Sequence, residues 1–209
     1  PFAVYALALA AFSVGTAEFI ISGLLPSLSA DLGTTIPIAG LLVSAYAAGV
    51  AIVSPIIATF TAHIPRRTML LGVLLTFFIG QVLCALAPNY AVLLAARLLV
   101  AFAHGVFFGV SLIIIDALIP THRHGRAFAL FFGGLTLATI LGVPGGTAIG
   151  LAFGWRTTFW FVGALSGLAT LAVALLVPRK GTDGDGLTAI GPQLRQLAKQ
   201  EIYLSYLLI

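Results

Sequence analysis

The chain has 209 residues, 60% of them hydrophobic and 8% charged, with a formal net charge of +4. Average soluble proteins are about 45–50% apolar and about 25% charged. So few charges cannot cover a globular surface in water, which excludes a soluble enzyme, a nucleic-acid binder and a disordered tail. The ten Lys and Arg are scattered over loops and form no stripe, so the basic balance does not point to nucleic acid. Cys84 is the single cysteine and allows no internal disulfide.

A bilayer core takes about 20 mostly apolar residues per helix. Six stretches qualify, at residues 3–25, 36–60, 68–87, 91–115, 127–150 and 156–177, and a seventh starts at Ile202. They are long and continuous, unlike the short alternating segments of a membrane β-barrel. The expected class is an all-α membrane protein: a six-transmembrane-helix bundle over residues 1–177, then the start of a seventh helix over 202–209. The chain begins at Pro1 with no basic n-region, so its first stretch is expected to be a span and not a cleavable signal. Between bundle and seventh span lies residues 178–201, a polar segment expected to be a cytoplasmic linker. Its part from Gln193 to Gln200 reads as a helix lying on the membrane surface. Such a linker before a new apolar run is what joins two halves, so the chain is expected to be one half of a longer protein.

Charge alternates between loops. Arg66, Arg67, Arg123, Arg126, Arg179, Lys180, Arg195 and Lys199 fall on one side, eight in all, against Arg156 alone on the other. The positive-inside rule then puts the N-terminus in the cytoplasm.

A charge inside a span marks a functional hypothesis. Glu18 in the first span and Arg97 in the fourth sit well inside, and at about 1.5 Å per residue they reach similar depth. They are expected to face a shared cavity, the bland alternative being that Arg97 snorkels to the outer headgroups. His104 and Phe108 fall within about 20° of the Arg97 face at 100° per residue, with Ser111 nearby. His104 can titrate near neutral pH and is a second proton candidate, or a hydrogen-bonded packing residue. Tyr46 and Gln81 are each expected to bond a neighbouring helix. Asp116, next to Arg123 and Arg126, reads as an interfacial ion pair or gate contact.

In the fifth span Gly134, Ala138, Gly142, Gly146 and Gly150 recur every four residues. This is a small-residue ridge that lets another helix approach closely. Pro144 beside it removes one helix hydrogen bond and permits a bend, so one helix could rock on another. No HExxH, GxSxG or Walker A pattern is present, so neither enzymatic chemistry nor ATP hydrolysis is indicated. His63, His122 and His124 lie in arginine-rich loops that repel a cation, so no metal site and no cofactor are expected.

Several segments resemble the N-terminal half of a major facilitator superfamily transporter. ATFTAHIPRRTMLLG (58–72) is similar to the loop between helices two and three, usually G-x-L-x-D-R-x-G-R-K, with Arg66 and Arg67 at its basic end. Ala58, Ala62 and Pro65 stand where that pattern has Gly, Asp and Gly. RLLVAFAHG (97–105) resembles the helix-four motif, with Arg97 in the position linked to proton coupling. LGVPGG (141–146) resembles the antiporter motif of helix five, and GWRTTFW (154–160) the entry to helix six. GTAEFIISGLLP (15–26), IPIAGLLVSAYAAGV (36–50) and AHGVFFGV (103–110) look like the drug:H⁺ antiporter branch, near arabinose-efflux-permease-like and chloramphenicol-exporter-like members.

The resemblance implies alternating access between two six-helix halves around a midplane site. It implies proton-coupled efflux of small organic molecules such as drugs or sugars, including multidrug resistance. Its partners would be a small-molecule substrate, protons, the lipid bilayer and a C-terminal six-helix half, in a bacterial inner membrane. Glu18, Arg97 and His104 are the expected proton-coupling residues. Ser13, Thr16, Ser22, Tyr46, Phe107 and Phe108 are the expected substrate pocket. Arg66, Arg67, Asp116 and Arg123 are the expected cytoplasmic gate. An uncoupled facilitator and a non-transporting scaffold or receptor are the competing readings.

Overall fold

The computed structural model describes residues 2–60 and 64–179, without the side chains of 53–60. The expected linker and seventh span lie, from residue 180 onward, outside the described residues, as does His63. Among the described residues the chain is helical throughout, with no strand. The elements are α1 (Phe2–Asp31), α2 (Ile36–Phe60), α3 (Arg66–Leu86), α4 (Tyr90–Leu118), α5 (His124–Leu137), α6 (Val143–Phe153) and α7 (Trp155–Leu176). A π-helical turn, Ala138–Gly142, joins α5 to α6, so these form one continuous fifth span. Among the described residues five spans are long and apolar enough to cross a membrane, and α2 supplies a shorter apolar helix over Ile36–Ile52. Together they make the expected six-helix bundle.

Helix ends follow local chemistry. α1 runs six residues past the expected end at residue 25, straight through Pro26. Ser27 and Ser29 hydroxyls each donate to a carbonyl three residues back, Leu24 and Pro26, at 2.9 Å, supplying donors in the turn that proline depletes. The helix stops where Gly33 takes φ +61°. Thr34 N–H then donates to Ser29 O at 3.0 Å, a Schellman closure that needs that left-handed residue. At the start of α4, the Asn89 side chain accepts from Val92 N–H at 3.0 Å. α4 ends at extended Ile119, as expected before Pro120.

α1 is the spine, packed against α2, α5, α6 and α7, while α3 joins α4 and α7, and α4 also holds α2. Its fully buried Leu7, Ile20, Ile21, Leu24 and Leu28 meet Phe77, Phe107, Phe131 and Phe159 in the core. Large apolar side chains such as Ile52, Leu75, Leu151 and Leu175 are exposed, the pattern of a surface that lipid covers.

The glycine ridge faces α1 in parallel. A β-carbon at Gly134 would overlap the Ala8 carbonyl, at Gly142 the Thr16 hydroxyl, at Gly146 the Ile20 side chain, and at Gly150 both Thr158 and Leu24. The contacts on α1 therefore advance through residues 8, 16, 20 and 24 as the ridge advances from 134 to 150. Gly15 and Gly23 of α1 return the contact against Leu135 and Thr147, so both helices present small residues. Beside Pro144 the backbone widens: Val143 N–H bonds Ala138 O, five residues back. A π-turn takes up the proline's missing donor without a break in the span, a device the four-residue spacing does not reveal.

Candidate functional site

The site lies where α1, α2 and α4 converge. Arg97 of α4 is completely buried. Its Nη1 donates to the Ala17 carbonyl of α1 at 2.9 Å. Its guanidinium carbon lies 3.9 Å from the centroid of the Tyr46 ring on α2. One side chain thus ties three helices together through a charge-assisted hydrogen bond and a cation–π contact. Arg97 reaches into the bundle and does not snorkel outward. Nε and Nη2 have no hydrogen-bond partner among the described residues. A buried guanidinium with two open donors is costly to hold, and such a group in a membrane core is the mark of a functional site.

Tyr46 is itself buried. Its hydroxyl shares a 2.7 Å hydrogen bond with His104 Nδ1. The hydroxyl donates when His104 carries its proton on Nε2, and accepts when Nδ1 is protonated. The expected interhelical bond of Tyr46 is therefore present, on the same helix that carries Arg97. His104 continues into aromatic packing, its ring 5.2 Å from Phe108. Phe108 in turn contacts Phe131 at 5.6 Å and Phe132 at 6.4 Å, crossing from α4 to α5.

Glu18 follows Ala17 directly, so the acid sits one residue from the carbonyl that Arg97 grips. It is half-buried and among the described residues forms no ion pair within 4.0 Å, although it lies within the electrostatic reach of Arg97. The expected common depth of the two charges is what the geometry shows, across α1 and α4.

The remaining candidates divide. Ser13 and, on the α4 stripe, Ser111 are buried, and neither hydroxyl has a partner among the described residues. Ser22, one turn beyond Glu18, is exposed. Thr16 bonds the Phe12 carbonyl at 2.7 Å and packs on Gly142, which puts it in the ridge contact and not at an open face. Phe107 is wholly buried against Phe131 and serves the core. Gln81 on α3 is buried, and among the described residues neither amide atom finds the expected partner on a neighbouring helix. Phe131 and Phe132 were not legible as site residues, because an aromatic pair in FALFFGG reads equally as lipid-facing bulk.

At the membrane face where α3 starts and α7 ends, Arg67 donates to Val177 O at 2.8 Å and Ala174 O at 2.7 Å. It thereby caps the last turn of α7, whose carbonyls have no helical partner. Arg66 beside it is buried and engaged. Asp116, expected as an interfacial ion pair or gate contact, lies 3.4 Å from His124 Nδ1. The 3₁₀ turn Thr121–Arg123 brings His124 back to the end of α4, where its Nε2 lies 2.6 Å from Ile119 O. At the opposite face Arg156 donates to Asp31 at 2.6 Å and to the Ala87 carbonyl at 3.1 Å. Trp155 Nε1 donates to the same carboxylate at 2.9 Å. This clasp joins the ends of α1, α3 and α7. Among the described residues no three His, Cys, Asp or Glu gather as a metal site would require.

Comparisons with known proteins agree with this arrangement. The chain is 39% identical over 209 residues to the uncharacterized transporter YtbD of Bacillus subtilis, covering 99% of this chain and 52% of that protein. It is 39% identical over 176 residues to the inner membrane transport protein YdhP of Escherichia coli strain K12, covering 84% of this chain and 45% of the relative. A chloramphenicol resistance protein of Streptomyces lividans is also 39% identical, over 178 residues, with 85% of this chain and 45% of that one covered. The chain spans about half the length of these curated relatives. With residues 7–209 matching the family's sequence pattern, the chain belongs to the Major Facilitator Superfamily.

Proposed function

We propose that this chain forms the N-terminal half of a proton-coupled exporter of small organic molecules, working by alternating access in a bacterial inner membrane. One observation carries the reading: a fully buried arginine with open donors, one residue's reach from a half-buried acid. A scaffold or receptor gains nothing from such a pair in its core, whereas a carboxyl that loads and releases a proton needs it. In this reading Glu18 carries the proton. Arg97 holds α1 in place and favours the charged acid after release. Tyr46 fixes Arg97 from below through its ring and orients His104 through its hydroxyl. Ser13, Ser22, Phe108 and Phe132 offer the mixed polar and aromatic lining that small organic molecules bind. Thr16 and the glycine ridge form the surface on which the fifth span moves against α1. Arg67 and Arg66 stiffen the cytoplasmic ends, with the N-terminus on that side. The C-terminal half supplies the rest of the cavity.

The substrate class rests on the relatives, among them the chloramphenicol resistance protein and a probable sugar efflux transporter of Mannheimia succiniciproducens that is 34% identical over 178 residues. The test is uptake of labelled amphenicols and sugars by inside-out vesicles holding the full-length protein. Uptake that collapses when an uncoupler dissipates the proton gradient supports the proposal. Uptake indifferent to the uncoupler makes the protein a facilitator, and no uptake from folded protein across the panel removes the transport reading.

A further inference from the structure

A cavity lies away from the central site, at the face where α1 begins and α4 turns into α5. It holds about 300 Å³ and opens to the outside of the bundle. Val4, Leu118 and Leu130 form its apolar wall, and Tyr5, Arg123 and Arg126 its polar rim. Tyr5 is 57% exposed, an aromatic side chain at the level where a helix leaves the membrane. Both arginines are exposed, and neither guanidinium has an ion-pair or hydrogen-bond partner among the described residues. The acid closest in sequence, Asp116, is already engaged with His124. Two free guanidinium groups beside a cavity with an apolar wall, at a helix end, match an amphiphile with an anionic head.

We propose that this cavity binds an anionic phospholipid. The headgroup phosphate sits between Arg123 and Arg126, where a guanidinium fork suits its oxygens. Tyr5 offers a hydroxyl to the same head, and an acyl chain lies along Val4, Leu118 and Leu130. A soluble phosphate would use the arginines alone and leave the apolar wall wet, so the wall favours the lipid. The site is independent of the proton-coupling residues, and the proposal stands whether or not the protein is an antiporter.

The full-length protein in neutral detergent is titrated with phosphatidylglycerol and, in parallel, with phosphatidylcholine and with inorganic phosphate. Bound lipid is counted by native mass spectrometry and the thermal midpoint is followed. Phosphatidylglycerol is expected to bind and stabilise in preference to phosphatidylcholine, with no effect of phosphate. In Arg123→Ala/Arg126→Ala its affinity should fall about thirtyfold, from about 1 kcal/mol for each arginine near an anionic head, with phosphatidylcholine binding unchanged. Arg179→Ala/Lys180→Ala removes as much charge from the chain after α7 and should leave the affinity as it was. Three results overturn the proposal: an unchanged affinity in the first pair, an equal loss in the second, or stabilisation by phosphate matching that by the lipid.

Discussion

Arg97 raises the sharpest question at the residue scale, because its burial works against stability. Buried ion groups are often neutral or favourable to replace by apolar residues of similar size. Arg97→Met should therefore leave the thermal midpoint of the full-length protein within a few degrees of native, or raise it, while coupled transport is lost. A large fall in the midpoint would instead make Arg97 a structural strut. Tyr46→Phe keeps the ring under the guanidinium and removes only the bond to His104. Leaving the buried His104 nitrogen without its partner should cost about 1–3 kcal/mol, read from thermal or denaturant unfolding. Depth was legible here and partnership was not. Hydropathy and a rise of about 1.5 Å per residue place Glu18 and Arg97 at one level, but nothing in either span says that Arg97 grips Ala17. The pairing of Tyr46 with His104 joins residues 58 apart in the chain, and periodicity within one span carries no record of it. Gln81 shows the converse: a polar residue in mid-span predicts a bond, and the described residues provide none.

Among the elements, the fifth span and α1 depend on each other through their small residues. Gly134 presses on main chain, the Ala8 carbonyl, which cannot rotate away. Gly133 next to it and Gly145 further on have nothing within 4 Å of a β-carbon. Gly134→Ala should destabilise the protein by about 1–3 kcal/mol through overpacking. Gly133→Ala and Gly145→Ala should be neutral or slightly stabilising, since alanine favours a helix by about 1 kcal/mol over glycine. Thermal unfolding of the three variants in one detergent separates these outcomes, and equal effects would remove the ridge from the account. The spacing of four in this span made the ridge readable, since 134, 142, 146 and 150 share one helix face. The π-turn was not readable, because one extra residue per turn leaves no mark on composition, and Pro144 announces only a perturbation. The first apolar stretch ends at residue 25 in the sequence, yet the helix continues through Pro26 to Asp31.

For the whole molecule, length and apolar runs fixed the bundle early. Six stretches of membrane length leave one architecture for their number and short loops, and the described helices follow them. The clasp at one end was less visible. GWRTTFW marks the entry of α7, but that Arg156 reaches Asp31 and Ala87 follows only from how α1, α3 and α7 pack. Arg156→Ala removes a half-exposed ion pair together with the hydrogen bond to a carbonyl. It should lower the thermal midpoint slightly, and by less at high than at low ionic strength, as midpoints at two salt concentrations would show.

The account stands or falls on Glu18 as the carrier of the counter-moving proton. The direct measurement is internal pH in inside-out vesicles holding the full-length protein, acidified inside, when a transported compound is added. The native protein should give a prompt alkalinisation. Glu18→Gln should give none, while still binding the compound in a direct binding assay. Native alkalinisation from the Glu18→Gln protein would contradict the assignment and move the proton to another group.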